Sequence, residues 1–495
     1  LYSYYRKDID SGALTREQAK ELLGSFMIKL NWDSDLMPGI QRGDNGQTLV
    51  LGGCDNEGKC AVNELSHLVL ETGLELRLMD PKLVVRVTKD TPDDFLKLAC
   101  KVAGSGLGFP MFCNDDVIIP GLVDLGYDLE DARDYAAAAC WEPLIPGKSN
   151  DVANTGKFSF LKCLELTINN GIDVLTGERV GFEQDRMLWE YRTFEELMEV
   201  VKKQISYGMK VAIEERNKRK RYALPGPLLS SFFDDPIREG RDLSEGGGKY
   251  NNYGILGAGL ANAADSLAAI RRLVFEEKAV SSKELMEALN KNWDGYESAL
   301  RRVEKVPKYG NDEDCVDSIA ADLAQHFSRE LSRYRNDQSG NYRPGIASES
   351  GYIFIAKFIG ASADGRKSGE PIACNVSPAP GADRKGPTAT INSVCKVNFA
   401  LAPNGSPLDL RLSPRYFSGD EGAERLFSIV KAFCKKGGEE IWFNVISSES
   451  LRDAQRNPDK YRTLMVRVWG FSAYFVELDK EFQEHIIART EHGEF

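Results

Sequence analysis

The chain lacks a long apolar run. None reaches the ~18 consecutive residues that a membrane-spanning helix needs, which sets α-helical membrane proteins aside. It also lacks an excess of basic charge. Its 63 Lys and Arg stand against 75 Asp and Glu, a net −12, and so anionic a chain argues against nucleic acid or an anionic membrane as partner. Ten cysteines form no C-x-x-C pair, and the four histidines supply no zinc spacing. Cysteines scattered in this way, behind an opening Leu1-Tyr2-Ser3-Tyr4-Tyr5 with no apolar signal segment, point to a reducing cytoplasm. Internal repeats, low-complexity tracts and composition-shifted linkers are missing. An initiator Met is missing too, and the expectation is that these residues are the C-terminal part of a longer polypeptide.

What is present is an ordinary globular composition, 42% hydrophobic and 28% charged over 495 residues, ample for a large core. Hydrophobic periodicity predicts a helix over 15–31, with Thr15 as N-cap and Gln18 closing a capping box. It predicts a second over 61–72 with Gly73 as C-cap, and others over 93–103, 129–135, 158–169, 194–218, 261–277, 282–293, 316–335 and 480–490. Apolar runs predict strands over 83–87, 109–114, 408–412, 441–445 and 464–468. This alternation favours an α/β barrel over a sandwich. The glycine-bearing stretches 43–60, 246–254 and 360–371 read as loops, and the charges of 214–221 as a solvated helix face. Gly53-Cys54-Asp55-Asn56-Glu57-Gly58-Lys59-Cys60 nearly spells a phosphate-binding loop, but Cys60 stands where Ser or Thr would reach Mg²⁺. A nucleotide site is therefore set aside. His67 reads as a packing or surface residue.

Two stretches stand apart. Arg467-Val468-Trp469-Gly470-Phe471-Ser472-Ala473-Tyr474-Phe475 sets one glycine between a strand-like run and an aromatic-rich one. Alone, such a glycine marks a bend, a bulge or a close backbone approach. Much earlier, Ala139-Cys140-Trp141-Glu142-Pro143 places a carboxylate two residues after a cysteine. On an extended loop, residues i and i+2 share a side, so thiol and carboxylate could face one substrate. A carboxylate in a dry pocket is poised for proton transfer near neutral pH.

Together and in this order, the two strings resemble the radical-bearing loop and the thiyl loop, in its Cys-x-Glu-Pro form, of the glycyl radical enzymes. That family comprises pyruvate formate-lyase and its dehydratase and lyase relatives. The stretch 53–58 is similar to the family's hairpin before a helix, 360–371 to another of its loops, and the resemblance runs from end to end. It implies an α/β fold, a ten-stranded α/β barrel of two five-stranded halves. Residues 1–355 would be the later part of the barrel and 356–495 the glycyl radical domain. It implies an unpaired electron on the Cα of Gly470, where the absence of a side chain lets the centre flatten and delocalise into both flanking peptides. Cys140 would be the transient thiyl, and Glu142 the general base toward a substrate hydroxyl; the alternative for Glu142 is a structural carboxylate paired with Lys148. No bound cofactor and no metal are expected, because a separate radical S-adenosylmethionine activase would install the radical on Gly470. The other implied partners are a small-molecule substrate and a second copy in a homodimer, in the cytoplasm or a bacterial microcompartment.

Departures from the family's wording narrow the chemistry. Ala139 stands where pyruvate formate-lyase proper has a second cysteine, so no adjacent sulfur can carry an acetyl group, and formate acetyltransferase activity is not expected. Asn154 stands where diol, glycerol and choline members have an Asp that holds a substrate hydroxyl, with Ala153 in place of the His before it. Trp141 is bulkier than the Val or Ile common there. Asn154 and Trp141 are the candidate substrate-binding residues. The expected reaction is elimination of water or another group from a small hydroxylated molecule. Decarboxylation of an arylacetate, which shares the Cys-x-Glu pattern, stays open, as does an inactive fragment that resembles a formate acetyltransferase.

Overall fold

The computed structural model describes residues 1–31, 46–138, 140–218 and 224–493, with the backbone of 35–37 and 41–42. Gly43 at the start of the expected turn-rich loop, Ala139 beside the cysteine, and Arg221 at the end of the charged helix tail lie outside the described residues. The chain forms two compact units, one of Leu1–Leu144 with Pro407–Phe495, the other of Ile145–Ser406. No described helix is long and apolar enough to cross a membrane.

The first unit is built on a six-stranded sheet in the order Glu491–His492, Pro407–Leu412, Glu440–Val445, Met111–Asn114, Lys82–Val87, Thr48–Gly52. All neighbours are parallel except Glu440–Val445 with Met111–Asn114, where two parallel trios meet antiparallel. Parallel strands are covered on both faces and so read as near-continuous apolar runs. Lys82–Val87 and Pro407–Leu412 are buried at every position, which is why the expected strands 83–87, 408–412 and 441–445 reappear within a residue or two. Helices Asp93–Gly104 and Gly419–Lys435 pack together beside the sheet. Gly104 permits this, since a Cβ there would lie 2.7 Å from the Phe417 carbonyl.

The helix Arg16–Leu30 carries the expected capping box. Thr15 Oγ1 accepts the Gln18 N–H at 3.2 Å, and Gln18 Oε1 accepts the Thr15 N–H at 2.9 Å. Thr15→Ala should cost about 1 kcal/mol locally. Hydrogen exchange should show this as a rise of about fivefold in the first turn, with the sheet unchanged. The next helix departs from expectation. It runs Glu64–Leu76 and ends with Arg77 in the left-handed region at φ 53°. Gly73 lies inside it, where a Cβ would come within 2.8 Å of Leu83 Cδ1. The glycine serves close helix–sheet packing and not a cap.

The second unit holds a three-stranded parallel sheet, Tyr342–Gly345, Tyr253–Ala258 and Val152–Ser159. A fully buried ion pair ties its outer strand, Arg343 Nη1 lying 3.1 Å from Asp151 Oδ2. The segment 158–169, expected as one helix, is strand to Ser159 and helix over Phe160–Ile168. Phe194–Lys218 is the expected long helix. The expected helix 261–277 is α-helical over Leu260–Ile270 and a π-helix over Arg271–Glu276.

The buried helix Leu260–Ile270 carries Asp265, whose Oδ1 accepts the Tyr309 N–H at 2.7 Å. Burial pushes this carboxyl up to about 7, against the pull of Lys308 and the Tyr309 amide, and Asp364 and Asp317 push it further. The folded state therefore favours the protonated acid. Stability from this group is whole below the ordinary carboxylate pKa of about 3.9 and is lost as pH rises from there through about 7. Asp265→Asn should raise Tm relative to the parent at pH 8, by the equivalent of about 4 kcal/mol, and should leave it unchanged at pH 4. A Tm difference that does not vary with pH would contradict this.

Candidate active site

The two strings singled out in the sequence are both hairpin tips of the first unit. Ala136–Ala138 pairs antiparallel with Glu142–Leu144, Ala138 opposite Glu142, so Cys140 sits at one tip. Met465–Arg467 pairs antiparallel with Ser472–Tyr474, Arg467 opposite Ser472. Gly470 sits at the other tip, which the Val468 N–H closes by donating to the Phe471 carbonyl at 2.9 Å.

The tips touch. A Cβ added to Gly470 would lie 2.2 Å from Cys140 Cβ, 2.8 Å from Trp141 Cζ3 and 2.9 Å from Cys140 Sγ. A carbon–carbon bond is about 1.5 Å, so the thiol sulfur lies within about 4.4 Å of the Gly470 Cα. Gly470 does not adopt positive φ. Glycine is required here by the approach of the cysteine hairpin and not by backbone conformation. The contact is wrapped in rings. Trp141, fully buried, stacks on Trp442 at 6.1 Å, and Trp469 sets its edge to Phe471 at 4.7 Å and lies 5.5 Å from Phe482.

Glu142 is 2% exposed. Its side chain folds back over the tip, and Oε2 accepts the N–H groups of Cys140 at 3.3 Å and Trp141 at 3.2 Å. These two bonds hold the Glu142 carboxyl against the main chain of the Cys140 tip. Beneath the hairpin lies a support that sequence reasoning missed. Arg86 pairs with Asp115 at 2.8 Å, donates to the carbonyls of Tyr135 at 3.1 Å and Arg133 at 2.8 Å, and lies 4.1 Å from the Tyr135 ring centroid. Tyr135 Oη donates to Asp115 at 2.7 Å. Both ions are buried, and together they fix the strand that enters the Cys140 tip. One charge inside the apolar run Leu83-Val84-Val85-Arg86-Val87 was the available signal, since a buried charge has to be paired.

Of the two substrate-binding candidates, Trp141 packs its indole against Gly470 and Trp442. Asn154 belongs to the second unit, half-buried in Val152–Ser159. There four steps along that strand, Val152 to Gly156, oppose two along Tyr253 to Ile255. Such bulges re-aim side chains and recur beside active sites.

The near-phosphate loop is a tight hairpin. Asp55 Oδ1 accepts the N–H groups of Glu57 at 3.0 Å and Lys59 at 2.8 Å, so two of the loop's main-chain donors are taken by the chain's own carboxylate. His67 packs on Phe95 at 5.2 Å. Asp312, Asp314 and Asp317 cluster around Lys396 Nζ at 2.8, 2.6 and 2.8 Å, so a lysine holds the position of a cation.

Residues 1–355 match the family model for pyruvate formate lyase-like proteins. The chain belongs to that family. A second model, for the glycine radical segment, matches 372–476 and contains Gly470. Within the pyruvate formate lyase-like family, the chain is 35% identical to the (2S)-3-sulfopropanediol dehydratase of Klebsiella oxytoca over 99% of its own length and 61% of that protein's. It is 34% identical to the trans-4-hydroxy-L-proline dehydratase of Clostridioides difficile over 99% and 63%. The glycerol-bound structure of the B12-independent glycerol dehydratase from Clostridium butyricum matches with a TM-score of 0.91 at 38% identity, over 97% of this chain and 62% of that one. The chain thus spans 61–63% of the length of these relatives. Its fold is the α/β fold of the glycyl radical enzymes. The family matches part near residues 355 and 372, whereas the compact units part after 144 and 406, because the sheet of the first unit recruits strands from both ends of the chain.

Proposed function

We propose that this protein is a glycyl radical lyase that removes water, or another leaving group, from a small hydroxylated molecule. The reading rests on the approach of Cys140 Sγ to Gly470 inside an aromatic enclosure. It is supported by the dehydratase relatives. A separate radical S-adenosylmethionine activase installs the radical on Gly470. The Gly470 Cα radical takes the hydrogen of the Cys140 thiol, so that a C–H bond forms as the S–H bond breaks. The thiyl then takes a hydrogen atom from the carbinol carbon of the substrate. Glu142 accepts the hydroxyl proton, and the resulting ketyl-like radical expels the neighbouring group. Where that group is hydroxide, it leaves as water with the proton from Glu142. The product radical recovers its hydrogen from the Cys140 thiol, and Gly470 is restored. The sum is loss of water and gain of a carbonyl, with no external oxidant or reductant.

Trp141 closes the wall of the radical contact, and Asn154, a neutral amide where an acid is usual, shapes the substrate pocket toward a molecule other than glycerol or choline. With Ala139 beside Cys140 no second sulfur accepts an acetyl group. The enzyme works as a homodimer in the cytoplasm.

The test is anaerobic activation with the cognate activase, followed by incubation with diols, choline, isethionate, hydroxyproline and arylacetates. Loss of the group next to a carbinol, read by mass spectrometry, is expected. Release of carbon dioxide from an arylacetate would replace the lyase reading with a decarboxylase. Electron paramagnetic resonance checks the relay separately. The remaining Cα hydrogen splits the glycyl signal into a doublet. If Cys140 shuttles hydrogen, its solvent-exchanged S–D collapses that doublet in D₂O, and a doublet that persists rules the relay out.

A further inference from the structure

A two-stranded hairpin of three residues a side is marginal alone, so contacts outside it must set where the Gly470 tip sits. Three of them reach the main chain just before the glycine. Asn444, on the strand Glu440–Val445, donates from Nδ2 to the Arg467 carbonyl at 2.9 Å and accepts the Arg467 N–H on Oδ1 at 2.7 Å. Its side-chain amide thus acts as a one-residue strand partner. Arg489, just past the helix Lys480–Ala488, donates from Nη2 to the Val468 carbonyl at 2.6 Å. One carboxylate orients both groups. Asp409, on the strand Pro407–Leu412, accepts Arg489 Nη1 on Oδ2 and lies 3.4 Å from Asn444 Nδ2 through Oδ1. The Asp409 side chain is 1% exposed and that of Arg489 9%. The opposite strand of the hairpin is held more lightly, Ser472 Oγ donating to the Leu107 carbonyl at 3.4 Å.

We propose that Asp409, Arg489 and Asn444 form a positioning frame that sets the separation of Gly470 Cα and Cys140 Sγ by gripping residues 467 and 468. None of the three touches the reacting atoms, so they are positioning residues and not catalytic ones. The chemistry of the grip explains the residue types. Arg489 serves the Asp409 carboxylate through Nη1 and the Val468 carbonyl through Nη2, two nitrogens that the planar guanidinium holds in a fixed fork, whereas a lysine would offer one nitrogen on a flexible stem. A misplacement of 1 Å at the reacting atoms can slow a step about 10²-fold, so a frame acting on two peptide groups beside the glycine has leverage on the relay. The consequence for the relay rests on the function proposed above; the grip itself does not.

The test uses the whole chain. Removing Arg489 alone would strand a buried carboxylate, so the informative variant is Asp409→Asn with Arg489→Met, which removes both charges. Arg489→Lys keeps the charge and replaces the fixed pair of nitrogens by one. In unactivated protein, amide exchange over 465–475 should rise about tenfold in the double variant while 440–446 stays unchanged. Arg489→Lys should fall between parent and double variant. In activated protein the glycyl radical should still form, and collapse of its doublet in D₂O should slow about 10²-fold. Loop exchange within twofold of the parent, or equal acceleration across the sheet, overturns the frame. Failure of the parent to show any glycyl radical overturns the Gly470 reading and leaves the exchange result to stand or fall separately.

Discussion

Gly470→Ala is expected to give a protein with no glycyl radical and no turnover. Two independent arguments lead there. A Cα radical stabilises itself by flattening into the adjoining peptide groups, and a methyl group on that carbon crowds the planar centre. The second argument is geometric. The new Cβ would stand 2.2 Å from Cys140 Cβ and 2.8 Å from Trp141 Cζ3, well inside van der Waals contact, so the two hairpin tips must part. Trp141 is fully buried against Trp442 and has little freedom to yield. Overpacking of this kind costs typically 1–3 kcal/mol, so Tm should fall as well. The two effects are separable. In Gly470→Ala with Cys140→Gly, the new methyl enters the space left by the cysteine side chain, and much of the lost Tm should return. The glycyl radical signal should stay absent, and that signal is the readout, because Cys140→Gly by itself abolishes turnover. Any turnover in Gly470→Ala above a trace, with the activase present, would mean that the radical is stored elsewhere.

The parts of this chain that sequence made legible are those whose meaning is local. Thr15 and Gln18 form their capping box because both partners lie in one helical turn. Lys82–Val87 and Phe194–Lys218 carry their patterns in consecutive residues. The strands of the second unit do not. Val152–Ser159 is polar and bulged, Tyr253–Ala258 holds two glycines, and Tyr342–Gly345 contains Pro344. Their ladders are stabilised from a distance, by the buried Asp151–Arg343 pair and by Asn404 Nδ2 donating to the Ala153 carbonyl at 2.7 Å. Gly254 looks like a loop residue in sequence, yet a Cβ there would collide with the Ala153 carbonyl, and it sits inside a strand because two backbones converge. The candidate site divides in the same way. Cys140, Glu142 and Gly470 are recognisable as wording. Their contact is a tertiary fact, and so are the supports beneath it. Arg86, Asp115, Asp409, Asn444 and Arg489 are polar residues in or beside largely apolar strands, and their partners lie 20 or more positions away in the chain.

Glu142→Gln tests the remaining role, and its value lies in what the substitution leaves intact. Oε2 of Glu142 accepts the N–H groups of Cys140 and Trp141. The side-chain carbonyl of glutamine can accept the same two bonds, so the Cys140 tip should keep its shape and Tm should change little. What glutamine cannot do is receive a proton from a substrate hydroxyl or return it to a leaving group. Positioned acid–base catalysis contributes typically 10²–10⁴-fold, and the loss in kcat should fall in that range. The glycyl radical should form to the parent level, and its doublet should collapse in D₂O at the parent rate, because hydrogen exchange between Gly470 and Cys140 involves no base. That combination, an intact relay with a failed turnover, distinguishes a proton acceptor from a structural carboxylate. A purely structural Glu142, its two bonds kept by the glutamine carbonyl, would leave Tm, relay and turnover all near the parent. A Glu142→Gln enzyme that retained more than about a tenth of parental kcat would remove Glu142 from the chemistry and leave it as the brace of the cysteine hairpin.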